Sequence, residues 1–502
     1  MTLFEDLKEK NLDGEYNESY TENGAKGFRT SGKELVDFNF GIASMRYMNK
    51  EEIASKFLKV WNEDNELALK FAFMIRDIRE GLGERRTGRT CMATIGKLNK
   101  EAIIKNLALI PEYGRWDDIL ELLEIDNDID NAIFELITKQ IQSDICNIAE
   151  GKGISLLGKW LPSENASSLR TKQLAKIIRK GLKMNSKEYR KLLSRLRKEI
   201  NIVEAQMCAK QWSEIDYSSV PSIANLRYRN CFLRNDETRR REFLEALEKG
   251  EVSINASVST PVDIVNAYGG WYRIDSTNID TTLEEMWKSL PDKKISNTLV
   301  VVDGSGSMGC SAGGSNSLTA HDVANAMAIY CAERNTGFEN QFITFSRNPQ
   351  LVDLGGVNTL LDKLKVLRQY CEVANTNIEK TFKLILDTAI ENDYTQTEMP
   401  ERILIISDME FDYGVDIGSG DKQLFTHIGE AYEKHGFKLP RLVFWNVNSR
   451  SGTIPVREND LGVALVSGFS TEILKMVMSD KLDPFEIIVE QLMSERYSPI
   501  TL

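Results

Sequence analysis

The segment Asp303-Gly304-Ser305-Gly306-Ser307 places one carboxylate and two hydroxyls at alternate positions of a glycine-bearing turn. Small hard oxygen donors converging in one turn suit Mg²⁺ or Mn²⁺, which prefer oxygen ligands in octahedral geometry and keep several waters. Two later positions extend the set: Thr376, in Ala374-Asn375-Thr376-Asn377, and Asp408, in Ile406-Ser407-Asp408. Taken alone, the first five residues read equally well as a structural turn. Joined in order to a loop threonine and a strand-end aspartate, they point to a cation site.

A second constellation is electrostatic. Residues 151–200 hold 14 Lys or Arg against 3 Glu, whereas residues 101–150 hold 3 basic against 12 acidic side chains. On helices, Lys172, Lys176, Arg179 and Lys183 fall along one stripe and Lys187, Arg190, Lys191 and Lys198 along another, with Lys180 and Arg195 in the same block. Leu174, Ile177, Ile178, Leu192, Leu193 and Leu196 are left for the core. Such stripes can follow a phosphate backbone, where each neutralised phosphate releases counterions; a solvated helix face is the competing reading. Trp160 and Tyr189 are placed either to stack on unpaired bases or to pack. Arg85, Arg86 and Arg89 have the same two options, phosphate or neighbouring acids. Trp116 anchors a helix pair, with Asp117 and Asp118 near a helix start that favours negative charge.

The elements that position these residues differ between the two parts of the chain. Helical spacing dominates the first, as in Ile53, Phe57, Trp61 and then Leu67, Phe71, Met74, Ile75 and Ile78. Further helices are predicted near 100–109, 116–124, 130–149, 171–182 and 186–210. Paired medium helices without strand signals suggest HEAT-like repeats in a solenoid, with an irregular bundle as the alternative. From about Pro291 short apolar runs alternate with helices: 298–303, 341–346, 402–408, 441–447 and 462–468. Strands that are apolar throughout imply a parallel sheet covered on both faces, and ligands of such sheets sit outside the carboxyl ends of the strands. After the first strand a helix is expected to start at Thr319, with Asp322 as its capping-box partner. The expected fold is therefore α plus α/β: a helical domain over 1–290, a doubly wound parallel-sheet domain over 291–482, and a helical tail over 483–502.

The order Asp303, Ser305, Ser307, then Thr376, then Asp408 resembles the metal-ion-dependent adhesion site of von Willebrand factor A domains. That resemblance implies that Asp303, Ser305 and Ser307 coordinate the cation, that Thr376 binds directly or through water, and that Asp408 is a further or outer ligand. It also implies that a partner's carboxylate fills the open position. The segments 76–89 (RDIREGLGERRTGR), 113–120 (YGRWDDIL), 158–165 (GKWLPSEN), 215–222 (IDYSSVPS) and 463–469 (VALVSGF), with 495–497 (ERY), resemble proteins related to the Ro autoantigen. In that superfamily a ring of HEAT-like repeats, the TROVE module, precedes a von Willebrand A domain that closes the ring. Its members bind single-stranded ends of structured or misfolded RNAs in the ring and small non-coding RNAs outside it.

Composition narrows the function classes. The 502 residues are 42% hydrophobic and 27% charged, a globular balance, with a net charge of −12. The excess is uneven: residues 1–290 hold 44 basic and 46 acidic groups, residues 291–502 hold 19 and 29. The global acidity thus does not speak against RNA. Met1–Lys10 is too polar for a signal peptide, and nothing approaches the roughly 18 to 20 apolar residues of a membrane helix, so a cytoplasmic protein without membrane contact is expected. The cysteines, Cys91, Cys146, Cys208, Cys231, Cys310, Cys331 and Cys371, never pair as CxxC and are expected to be reduced thiols. Three histidines leave little for zinc or a histidine-based hydrolase. Two-metal hydrolysis needs clustered carboxylates, and Asp412 is the only addition near Asp303 and Asp408. The expected function is Ro-like RNA binding, with a Mg²⁺-bearing domain closing the ring or recruiting a protein; the alternative is a metal-dependent interaction adaptor without RNA. Neither is an enzyme or takes a small-molecule substrate.

Overall fold

The apolar runs become strands. In the computed structural model, β1 (Glu18–Tyr20) and β2 (Lys26–Phe28) form an antiparallel hairpin. A six-stranded sheet contains β3 (Thr298–Asp303), β4 (Gln341–Phe345), β5 (Gln350–Asp353), β6 (Arg402–Ser407), β7 (Arg441–Asn446) and β8 (Val463–Ser467), in the order β5-β4-β3-β6-β7-β8. The residues described are 10, 14–200, 202–270, 274, 278–312, 318–370, 372, 374–413 and 423–502. Cys371 and most of the Met1–Lys10 stretch lie outside them; the six described cysteines are free thiols. No described helix is long and apolar enough to cross a membrane.

The chain divides into two compact units, residues 1–49 with 254–491 and residues 50–253 with 492–502. These limits differ from the expected cuts at 290 and 482, because residues on each side of those cuts pack with distant partners. Tyr268 donates to Glu284 Oε1 at 2.6 Å, and Glu284 accepts the backbone N–H groups of Leu360 (2.7 Å) and Leu361 (3.1 Å) at the start of the helix Leu360–Leu367. The helix Pro261–Ala267 packs on the helix Ala320–Glu333. This stretch is therefore bound to the sheet unit. So is the helix Glu34–Phe40, which lies against β8, with Asn39 Nδ2 donating to the Leu465 carbonyl at 3.1 Å.

Within the sheet unit β3 is buried at every position, as a strand covered on both faces must be. Val301 lies opposite Ile343 of β4 and Ile405 of β6, all parallel. One strand departs from the expected all-parallel sheet: β5 runs antiparallel to β4. Only the four residues 346–349 join the two, which suits a hairpin and is too short for a parallel crossover. The connection from β3 leads towards β4 and that from β6 towards β7, so the carboxyl ends of β3 and β6 form the point where the sheet winds in opposite directions. The helix Ala320–Glu333 begins at Thr319, whose side chain and that of Asp322 form the reciprocal capping box expected.

The second unit is helical, with no strand among its described residues. Its helices follow the predicted spacing, but the one expected over 186–210 stops at Glu199 and restarts as Val203–Cys208. Ile200 and Ile202, the β-branched residues that end the one helix and precede the other, are weak helix formers. At its centre Asp118, fully buried, accepts Arg76 Nε at 2.7 Å, Arg89 Nε at 2.5 Å and its own helix's Arg115 N–H at 2.7 Å. Gly114 is required there, since a Cβ would stand 2.1 Å from Asp118 Oδ2. The last residues belong to this unit as well. Arg496 pairs with buried Asp77 through Nε (2.9 Å) and Nη2 (3.1 Å), and Tyr497 donates its hydroxyl to the same carboxylate at 3.2 Å.

Candidate functional site

The end of β3 delivers Asp303 and the end of β6 delivers Ser407 and Asp408 to the winding point of the sheet. Asp303 is fully buried; its Oδ1 accepts the Ser305 N–H at 2.9 Å and its Oδ2 the Ser407 hydroxyl at 2.6 Å. Ser305 and Ser307 share a hydrogen bond between their hydroxyls at 2.9 Å, and Ser307 is bonded in turn to the Asp408 carboxylate. The turn is seated by backbone bonds from Gly304 N to Phe345 O (2.7 Å) and from Gly306 N to Ala374 O (3.1 Å). His321 holds the Ser305 carbonyl at 3.1 Å, and its burial keeps it below its usual pKa.

Thr376 reaches the same edge from the loop before the helix Glu379–Glu391. Its backbone N–H donates to Asp412 Oδ2 at 2.9 Å and its carbonyl accepts Asp412 N at 3.1 Å. Ser346, just past β4, fixes that loop by accepting Ala374 N and donating to Asn375 O, both at 3.0 Å. The hydrogen bonds therefore join Asp303, Ser305, Ser307 and Asp408 directly and attach the Thr376 loop beside them. Asp412 stands near enough for its charge to act on Asp303.

Electrostatics at this edge favour a cation. Burial pushes Asp303 up to about 6, opposed by the hydroxyls of Ser407 and Ser305. Burial, and then the charge of Asp303, push Asp408 up to about 7, opposed by Arg450. Two buried carboxylates repel one another, and among the described residues one guanidinium offsets them: Arg450 Nη1 lies 3.2 Å from Asp408 Oδ2. Among the described residues no group of three or more His, Cys, Asp or Glu is arranged to hold a metal. The donors here are instead two carboxylates and neutral hydroxyls, all hard oxygens, a set that fits Mg²⁺ or Mn²⁺ rather than a softer ion.

Several contributors have no local signature in the sequence. Asn23 Nδ2 donates to Thr376 Oγ1 at 3.3 Å, and Arg450 reaches Asp408 across 42 positions. Glu410, fully buried, accepts the N–H groups of Arg450 and Ser451 on Oε1 and of Glu22 on Oε2, each at 2.8 Å. Gly27 of β2 allows the hairpin to attach, since a Cβ would stand 2.6 Å from the Ile454 carbonyl.

The basic block lies in the helical unit, on the consecutive helices Leu169–Gly181 and Ser186–Glu199; Lys183, expected on the first helical stripe, instead sits in the turn between them at φ 55°, past the helix end. Lys176, Lys180, Lys183, Lys187, Arg190, Lys191, Arg195 and Lys198 are exposed, and Lys172 is half-buried. Arg179 is spent within the fold, on Glu164 at 2.8 Å and on the Met184 carbonyl at 3.0 Å. Tyr189 is fully buried, and its hydroxyl donates to Pro162 O at 2.9 Å, so it packs instead of stacking on bases. Trp160 is half-buried, with Arg115 5.0 Å and Lys159 5.8 Å from its ring. Arg89 takes the second of its two options and pairs with Asp117, Asp118 and Glu121.

Comparison with known proteins places the whole chain. Residues 297–496 match the family described as domain of unknown function DUF7788, and residues 21–128 and 128–297 match domain of unknown function DUF2828. An uncharacterized protein of Acanthamoeba polyphaga mimivirus is 30% identical over 530 aligned positions, which cover 96% of this chain and 89% of that protein. The crystal structure of Deinococcus radiodurans Ro (RSR) protein is similar over 88% of this chain and 97% of its own, at 15% identity and a TM-score of 0.43. With more than half of its length matched by one family and a relative aligned along nearly all of it, the chain belongs to the DUF2828 family.

Proposed function

We propose that this chain binds RNA through the basic face of its helical unit, and that its sheet unit holds Mg²⁺ or Mn²⁺ and recruits a protein partner there. The observation that carries the RNA reading is the row of eight exposed cations from Lys176 to Lys198, seven on two consecutive helices and Lys183 in the turn between them. Among the described residues, ion pairs from these helices to carboxylates involve Arg170 and Arg179 and none of those eight. Exposed cations held in register on helices suit a phosphate chain. Trp160, flanked by Arg115 and Lys159, supports unpaired bases over duplex. A labelled RNA hairpin with a single-stranded 3′ tail should bind with log affinity falling steeply against log salt, with a slope of about −4 or steeper. Absent or salt-independent binding sinks the reading.

The adaptor reading is favoured by the Asp303–Asp408 edge. Asp303, Ser305, Ser307, Thr376 and Asp408 would hold the cation, and a bound cation would offer an open position to a partner's carboxylate. The residues themselves orient one another: Ser407 and the Ser305 N–H fix Asp303, Ser307 fixes Asp408, and Asn23 and Asp412 fix Thr376. No catalytic step enters this reading. Asp303→Ala is expected to abolish the heat of Mn²⁺ binding in calorimetry and to release a partner in pull-down, with RNA affinity unchanged. A folded Asp303→Ala protein that titrates Mn²⁺ like the parent removes the cation site.

A further inference from the structure

Residues of the β1–β2 turn stand on the rim of the cation site, although 353 positions separate Asn23 from Thr376. The neighbouring Glu22 carboxylate accepts Arg450 Nε at 2.9 Å and lies 2.8 Å from Nη2, while Arg450 Nη1 lies 3.2 Å from Asp408 Oδ2. One guanidinium thus spans from a half-exposed acid of the hairpin to a fully buried candidate ligand. Both ends of this span are anchored independently of it. The backbone N–H groups of Glu22 and Arg450 each donate to Glu410, at 2.8 Å, and Thr21 Oγ1 donates to the Phe411 carbonyl at 2.6 Å. The backbones are fixed, and what can change is how the Arg450 side chain divides itself between the two carboxylates.

A guanidinium on Asp408 opposes a divalent cation there twice over, by occupying a carboxylate oxygen and by like charge. A carboxylate at Glu22 acts the other way, because it gives Arg450 an alternative partner. We infer that Glu22 and Arg450 form a counterweight to the cation site: the cation takes Asp408, Arg450 transfers fully to Glu22, and the hairpin and the cation stabilise each other. This inference rests on the cation reading above. By linkage, whatever the hairpin does to cation affinity the cation must do in equal measure to the hairpin.

The test is a calorimetric Mn²⁺ titration of the full chain and of Arg450→Gln, Glu22→Gln and the double variant. Arg450→Gln should bind Mn²⁺ about tenfold more tightly and Glu22→Gln several-fold more weakly. Because Glu22 acts through Arg450, Glu22→Gln should have no further effect once Arg450 is glutamine, whereas a direct charge effect would persist. A second measurement needs no variant: Mn²⁺ should slow amide hydrogen exchange of residues 21–25 in the parent chain. No Mn²⁺ binding in any form overturns the cation reading and this inference with it. Equal binding by parent and Arg450→Gln, an undiminished Glu22→Gln effect in the double variant, or unchanged exchange at 21–25 overturns the counterweight and leaves the cation site standing.

Discussion

Changing Lys187, Arg190 and Lys191 together to glutamate is expected to weaken binding of a tailed RNA hairpin at least about a hundredfold, and to make the salt slope shallower by about 2 to 3. The three side chains are exposed on one helix, and each phosphate left without its cation retains roughly one counterion that binding would otherwise release. Reversal then adds repulsion from three new carboxylates facing phosphates. The fold should be indifferent. The buried positions of that helix are Tyr189, Leu193 and Leu196, and a glutamate at 187 sits in the first turn, where the helix dipole favours it. Changing Arg197 would confuse the test, because its guanidinium holds Gly158 O, Leu161 O and the Ser163 hydroxyl. A reversed protein with parental circular dichroism and parental RNA affinity would show the face to be merely solvated.

The second large effect is on stability. Asp118→Ala should cost the helical unit about 3 to 5 kcal/mol, because it strands a buried guanidinium. Arg76 is 1% exposed, and its two terminal nitrogens have no hydrogen-bond partner, so its Nε bond to Asp118 is what compensates its charge. Burial already lowers its pKa, with Asp118 as the opposing influence. Arg89 loses a partner too, but it keeps Asp117 and Glu121. Asp118→Asn preserves the shape and should cost less than alanine while still failing to supply a charge. Because a two-unit chain need not unfold in one step, the measurement is hydrogen exchange across the helices Asn65–Arg76 and Arg85–Leu98, with the six-stranded sheet as internal reference. Parental protection in those helices of the alanine variant would mean that the network is dispensable.

What was legible in the sequence follows from the range of the interactions involved. The strands β3, β6, β7 and β8 are legible because burial on both faces leaves an apolar run. β5, whose four residues QLVD are exposed at Leu351 and Asp353, carries no such run. Asp303, Ser305, Ser307 and Asp408 are legible as neighbours because they lie at or just past the ends of adjacent parallel strands. Asn23 and Arg450 are not, since their roles are set by Thr376, Glu22 and Asp408, all far away in sequence. Asp118 shows the same limit: its neighbours suggest an acid near a helix start, and nothing nearby announces that Arg76 and Arg89 close on it. Of the basic block, charge alone did not separate the exposed Lys187 from Arg179, which Glu164 already holds.

The pairing of Asp77 with Arg496 and Tyr497 has a consequence for synthesis. The helical unit is encoded early, yet a fully buried acid of one of its first turns receives its counter-charge from 419 positions downstream. A ribosome must therefore translate the entire sheet unit before the helical one is complete. The hairpin at residues 18–28 waits similarly for Phe411 and Ile454. Neither unit can finish before its late segment is made, unlike the domain-by-domain folding of a simple two-domain chain. Each holds an early segment in reserve for a late one: the helical unit waits for Arg496 and Tyr497, and the sheet unit for Phe411 and Ile454, to leave the exit tunnel.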